Sequence, residues 1–353
     1  MDHTYCVIMA GGKGERFWPL STERIPKPFL KLTGDKTLIQ LTIERVCNIV
    51  PTENIFVVLG KRHLNVAKRQ LGDLFDENFI VEPEGRDTAP CIGFAALPIL
   101  NRDSKAIMIT LPADQYIPDV GGFVKTISHG VKCAKMGDYL VTVGIKPTRP
   151  ETGYGYIHAH EKFNVSDGMM CYRVKKFVEK PDVERAKAYI EEDNYFWNAG
   201  MFIWKATTVM KGIEQHMPEL YNGLIKIKGA LSSHNRRTID MVYKSLPRKS
   251  IDYGLMEKAD NVLMIPADFR WDDVGTWTSL LRVLELDKHG NYRKGNVICV
   301  DTQDCVVYGD DMLIATIGVS NLVVVASKKG VLVCDGNRAQ EVREIAKRLS
   351  LEK

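Results

Sequence analysis

No stretch of the 353 residues reaches the ~18–20 consecutive apolar positions that a membrane span requires, so the sequence predicts no membrane partner. Met1–Ala10 has no basic leader ahead of its apolar part and reads as a core strand, not a secretory signal. No Cys-x-x-Cys pair occurs. The eight cysteines, Cys6, Cys47, Cys91, Cys133, Cys171, Cys299, Cys305 and Cys334, are scattered, mostly through apolar segments. That scatter speaks against a disulfide framework or a zinc site and for reduced, buried thiols in a cytoplasmic protein. A strong charge of either sign is also missing. The 48 Lys and Arg against 44 Asp and Glu leave +4, which argues for no nucleic-acid partner and equally suits a pocket for phosphates.

What is present is a globular composition, 45% hydrophobic and 26% charged, on a chain long enough for a large domain plus an appendix. Tyr5–Ala10, Asn54–Gly60, Ala106–Leu111 and Tyr139–Ile145 are short apolar runs of the kind buried on both faces of a sheet. Helical spacing in Leu38–Val50, Lys61–Leu71 and Phe123–Lys135 separates them. This alternation predicts an α/β fold with a mostly parallel sheet and ligands at the carboxyl ends of its strands.

Beyond Thr152 the pattern loosens. Strands are expected at Tyr154–Ala159, Tyr172–Glu179, Phe196–Trp204 and Asn261–Ile265, and a helix over Trp277–Leu286. The middle third therefore reads as an insertion covering the sheet's open edge. After about Asp287, short β runs recur at Val297–Val300, Cys305–Tyr308, Leu313–Ile317, Leu322–Ala326 and Val331–Cys334. Their spacing suits a small β-solenoid, closed by a helix over Asn337–Leu349. The polar stretch Asp287–Asn291 marks the expected boundary, giving domains 1–287 and 288–353.

The first motif, Gly11-Gly12-Lys13-Gly14-Glu15-Arg16, follows the first strand directly. Glycines let backbone N–H groups approach phosphate oxygens. No Lys-Ser/Thr pair ends the loop, so it is not a Walker A motif, and Pro19 comes too soon for a dinucleotide fingerprint. Lys13, Arg16 and the stiff Pro26-Lys27-Pro28 put three cations near one bend, which suits a polyphosphate.

MAGGKGERFWPLS followed by RIPKPFL resembles the opening signature of sugar-nucleotide pyrophosphorylases, particularly the mannose-1-phosphate guanylyltransferases. The resemblance implies a Rossmann-like nucleotidyltransferase domain and a loop wrapped around GTP, with Arg16 and Lys27 on phosphates. Five further motifs follow in order up to about Leu286.

Glu82-Pro83-Glu84-Gly85-Arg86-Asp87-Thr88-Ala89-Pro90 reads on its own as a turn in which Asp87 or Thr88 caps a helix running to Leu100. It is also similar to the EPxGRNTAP element of the guanylyl branch, which implies that Glu82, Arg86, Asp87 and Thr88 lie near the base. The family usually has Asn at the position of Asp87. A carboxylate cannot donate as an amide does, although it can accept from the guanine N–H edge.

Asp114, in Leu111-Pro112-Ala113-Asp114-Gln115, ends a predicted buried strand, and Asp273, in Trp271-Asp272-Asp273-Val274-Gly275, follows another. Two carboxylates from distant segments can hold one Mg²⁺ while triphosphate oxygens fill its other positions. The resemblance assigns the metal to Asp114 and Asp273, with Asp272 a neighbour easily confused with it.

Glu179-Lys180-Pro181 reads plainly as a surface ion pair at a strand end. The resemblance puts Glu179 on sugar hydroxyls and Lys180 on the sugar phosphate. Gly155, in Thr152-Gly153-Tyr154-Gly155-Tyr156, permits close backbone approach. In Trp197-Asn198-Ala199-Gly200 the resemblance gives Asn198 a sugar hydroxyl, and Ser250-Ile251-Asp252-Tyr253 matches the segment that supports the sugar pocket.

The implied activity is transfer of GMP from GTP to mannose 1-phosphate by direct displacement at the α-phosphorus. The alternatives are a relative using another sugar or nucleotide, and a non-catalytic sensing subunit. The second is disfavoured because Arg16, Lys27, Asp114, Lys180 and Asp273 are all present. By analogy, the β-rich tail suggests a homodimer contact. Some relatives carry an extra cupin-type isomerase domain, for which the sequence leaves no room, so a single activity is expected. His158 and His160, two apart on a strand with no third ligand near in sequence, read as an exposed strand face. Trp18, Trp204, Trp271 and Trp277 read as core or pocket walls, and Lys328-Lys329 as a solvated turn.

Overall fold

In a computed structural model that describes residues 2–12, 14–164 and 170–351, nine strands form one sheet. They are β1 (Thr4–Met9), β2 (Ile55–Gly60), β3 (Phe79–Glu82), β4 (Ile107–Pro112), β5 (Leu140–Ile145), β6 (Gly155–Asn164), β7 (Met170–Glu179), β8 (Tyr195–Lys205) and β9 (Val262–Pro266). Their order is β3-β2-β1-β4-β8-β5-β9-β7-β6, and all but β7 and β8 run the same way. The apolar runs of β1, β2, β4 and β5 are buried on both faces, as their composition requires. From β1 the chain goes outward to β2 and β3 and then returns to the other side as β4. The carboxyl ends of β1 and β4 therefore flank a reversal of strand order, where α/β sheets bind ligands.

The middle third does not cover an open edge as expected; its strands enter the sheet. β8 pairs with β5 along one side, while its other side is divided between β6 and β4. Pairings of β6 with β7 and of β7 with β9 close a ring of strands at that end. The ladder satisfies the backbone of β8 twice over, which a covering segment could not do.

Strands β10 (Tyr292–Lys294), β12 (Val306–Gly309) and β14 (Leu322–Ser327) pair in parallel, as do β11 (Val297–Val300) and β13 (Ile314–Ile317). This is the expected solenoid. β15 (Gly330–Asp335) turns back antiparallel to β14, and the helix Val342–Leu351 follows.

The tail's core is continuous with the rest of the molecule. Val306, Val323, Val325 and Leu332 share one buried cluster with Phe17, Leu30, Leu32 and Leu38, and with Val274 and Trp277. Trp277 packs edge-on against Phe17 at 5.2 Å, lies 5.6 Å from Tyr308, and donates its indole N–H to the Trp18 carbonyl. Among the described residues, no helix is long and apolar enough to cross a membrane.

Candidate active site

The glycine loop leaves the carboxyl end of β1 beside that of β4. Gly14 adopts φ 59°, and a Cβ there would lie 2.6 Å from the Lys27 backbone nitrogen. Only glycine lets this loop fold onto Pro26-Lys27-Pro28. Lys13 lies outside the described residues. Arg16 is half-buried and has no hydrogen-bond or ion-pair partner among the described residues.

Lys27 is buried, and its ammonium joins the two acidic segments. It stands 3.0 Å from Asp114 Oδ2 and donates to the backbone carbonyl of Asp273. The two loops are also stitched directly, Tyr116 N to Asp272 O at 2.9 Å and Asp272 N to Tyr116 O at 3.1 Å. The Asp114 loop is clamped from behind. Thr42 donates to the Ala113 carbonyl, buried Arg45 donates to those of Gln115 and Ile117, and the Gln115 amide reaches the Ala199 carbonyl at 2.7 Å. Burial pulls the Arg45 guanidinium down to about 10.

Asp272 and Asp273 have opposite fates. Asp272 turns inward, is 5% exposed, and accepts from Arg282 at 3.0 and 3.2 Å and from Val274 N at 2.7 Å. Asp273 is half-buried, and its Oδ1 accepts from the Tyr154 hydroxyl at 2.5 Å. Val274, β-branched yet at φ 48°, makes the bend that separates them. The pair Asp114 and Asp273 fits a hard divalent cation. Both are oxygen donors, and a positive charge already sits between their two segments. No group of three or more His, Cys, Asp or Glu that could hold a metal occurs among the described residues, so phosphate or water must complete any such shell.

The residues that the resemblance gives to the sugar lie along β6, β7 and β8. Gly155 pairs with Glu179 across the sheet, and a Cβ on Gly155 would run into that carboxylate. The strand ends there. Lys180 takes φ 49°, which brings its ammonium 3.0 Å from Glu179, so the ion pair read from sequence does form. Burial pulls Lys180 down, but Glu179 outweighs it and the net shift is upward. Asn198 donates to Asp252 at 2.8 Å and accepts from Thr142 and from Gly200 N, each at 3.1 Å. Burial, and then the nearby Glu179 charge, push Asp252 up to about 7.

Asp87 caps the helix Thr88–Arg102, accepting from Thr88 N at 2.7 Å, as its motif predicts. Its backbone, φ 71° and ψ −179°, lies in a region that L-residues rarely enter. Left-handed Lys180 and Val274 are likewise unfavourable. Thr88 accepts from Ile251 N at 2.8 Å, which ties this element to the segment around Asp252. Arg86 donates to the Leu246 carbonyl at 2.6 Å. Glu82 is placed differently from an open base-binding group. It is 5% exposed, its Oε1 accepts from the Tyr243 hydroxyl, and burial raises it to about 7 against the opposing pull of that bond. It braces the element from behind.

Sequence reasoning missed Arg149 and Tyr154 as site residues. Tyr154 is wedged edge-on between Trp197 and Trp271, each ring 5.3 Å away, with Arg149 over it. Its place directly before Gly155 was the available signal. Trp271 is partly buried and packs against the core of the sheet. His158 stacks on Tyr195 and meets Asn194, and His160 lies near Glu161.

A glycine bend after the first strand, facing cations and two hard carboxylates at a sheet's switch point, defines an enzyme that handles a nucleoside triphosphate. Residues 5–290 match the nucleotidyl transferase family, and residues 295–349 match the MannoseP isomerase/GMP-like beta-helix domain. The chain is 37% identical to the mannose-1-phosphate guanylyltransferase of Escherichia coli K12, over 99% of its own length and 74% of that protein's. It is 35% identical to the alginate biosynthesis protein AlgA of Pseudomonas syringae, over 98% and 71%. A crystal structure of a mannose-1-phosphate geranyltransferase from Thermus thermophilus superposes with a TM-score of 0.88 at 38% identity, covering 99% of each chain. The chain belongs to the nucleotidyl transferase family. Enzymes of this kind generally use a divalent metal.

Proposed function

We propose that the chain transfers GMP from GTP to α-D-mannose 1-phosphate, giving GDP-mannose and pyrophosphate. The observation that carries this reading is the Lys27 ammonium, which touches both acidic segments at the mouth of the glycine bend. The Escherichia coli relative, named for mannose-1-phosphate guanylyl transfer and matched over 99% of this chain, supports the choice of sugar and base.

Gly11, Gly12, Lys13 and Gly14 cradle the triphosphate, while Arg86, Asp87 and Thr88 face the base with Glu82 behind them. Gly155, Glu179 and Asn198 hold the sugar. A phosphate oxygen of the sugar phosphate forms a bond to the α-phosphorus as the bond to the bridging β-phosphate oxygen breaks, and pyrophosphate leaves with that electron pair. The attacking group is already an anion, so no protein nucleophile is needed. Arg16, Lys27 and Lys180 offset the repulsion between anions and the charge that builds at phosphorus. Asp114 and Asp273 would hold Mg²⁺, which when bound neutralises triphosphate charge.

The catalytic domain is taken as 1–287 and the β domain as 288–353, consistent with the two matched segments. The free cysteines support a reducing, cytoplasmic setting. Ile298, Val300 and Ile317, exposed together on the outer face of β11 and β13, support a homodimer through the β domain, and a monomeric mass in sedimentation would refute it. The test of function is a panel of nucleoside triphosphates against hexose 1-phosphates, read as pyrophosphate release. GTP with mannose 1-phosphate should be fastest. Faster turnover of UTP, dTTP or glucose 1-phosphate would overturn the assignment.

A further inference from the structure

We propose that Tyr154 is the positioning residue for Asp273 and ties the sugar-phosphate end of the site to the metal end. Lys27 holds Asp273 by its backbone carbonyl, so the carboxylate is not oriented by that contact. Among the described residues, the side-chain partner of that carboxylate is Tyr154, which donates to Oδ1 at 2.5 Å and leaves Oδ2 unclaimed. A carboxylate fixed by one oxygen presents the other in one direction, which is what a second-layer hydrogen bond does for a metal ligand.

Tyr154 is itself held firmly. Its ring is pinned edge-on by Trp197 and Trp271 at 5.3 Å, and Arg149 Nη2 donates to its hydroxyl at 3.2 Å. Arg149 in turn lies 5.0 Å over the Trp197 ring. The hydroxyl thus accepts from Arg149 and donates its only proton to Asp273, a one-way relay that a phenylalanine cannot make. The backbone of the same residue serves the other end. Its carbonyl accepts from Lys180 N at 3.2 Å, and Gly155, its neighbour, pairs with Glu179. One side chain and one peptide group therefore span from Asp273 to Glu179-Lys180.

The inference rests on Asp273 being a metal ligand, and the test separates the two claims. Mn²⁺ binding would be measured by electron paramagnetic resonance of the free ion, with a non-hydrolysable GTP analogue present, for the wild type, Tyr154→Phe and Asp273→Asn. Thermal melts would run alongside. Tyr154→Phe should weaken Mn²⁺ on the order of 10-fold, the scale of a lost hydrogen bond to a charged group. It should raise the Mg²⁺ concentration for half-maximal rate in step, with kcat recovering at saturating metal, and Asp273→Asn should weaken Mn²⁺ further. Wild-type Mn²⁺ affinity in Tyr154→Phe beside weakened binding in Asp273→Asn overturns the positioning role, whether or not the melting temperature falls. Wild-type affinity in Asp273→Asn overturns the metal assignment itself and the proposal with it.

Discussion

The proposed triphosphate end and the proposed sugar end of the site are built by different means. At the triphosphate end, fixed cations and backbone clamps do the work. Lys27, Arg45 and the Tyr116–Asp272 bridge hold two loops whose other face is a hydrophobic cluster shared with the β domain. At the sugar end, side chains hold one another. Asn198 binds Asp252, Glu179 binds Lys180, and the crowded Asp252 carboxylate is pushed toward neutrality. Under the proposed function, an immobile positive frame would meet the highly charged ligand, and a cluster of donors and acceptors centred on Asn198 would meet hydroxyls.

The comparison is tested most severely by removing what backs the triphosphate end. Trp277→Ala should cost about 3–5 kcal/mol of unfolding free energy, measured by denaturant titration, because a fully buried indole leaves a cavity between three segments. A loss under about 1 kcal/mol would mean that the β domain is not part of that frame.

Asp114→Ala or Asp273→Ala should then lower metal-dependent turnover on the order of 10²–10³-fold with the fold intact by circular dichroism. Near-normal rates in both would remove the distinction between the two ends.

The smallest effect concerns the base element and is read as pH dependence. Glu82 is raised from 4.5 to about 7, so the proton it keeps when folded stabilises the protein below about pH 4.5, and that contribution fades as pH rises through about 7. The stability difference between wild type and Glu82→Gln should therefore shift against the wild type between about pH 5 and 8, by on the order of 2–3 kcal/mol in urea titrations. A constant difference would show Glu82 ionised throughout.

Much of this was legible in the sequence. β1, β2, β4 and β5 announce themselves as short apolar runs because both faces are buried. Lys27, named from its motif, touches the Asp114 carboxylate and the Asp273 backbone carbonyl. β3 was missed because its four residues, Phe79–Glu82, end on an acid that only the distant Tyr243 hydroxyl makes tolerable in the interior. The choice of Asp273 over Asp272 depends on a left-handed valine that no propensity favours. The divided pairing of β8 and the bond from Tyr154 to Asp273 are long-range facts with no local pattern.

Val306, Val323, Val325 and Leu332 wall the back of the loop that contains Phe17. During synthesis, that loop emerges early and must wait for nearly all of the chain before its back wall exists. A chain stopped before the β domain would leave Phe17 and Leu32 with an unfinished wall.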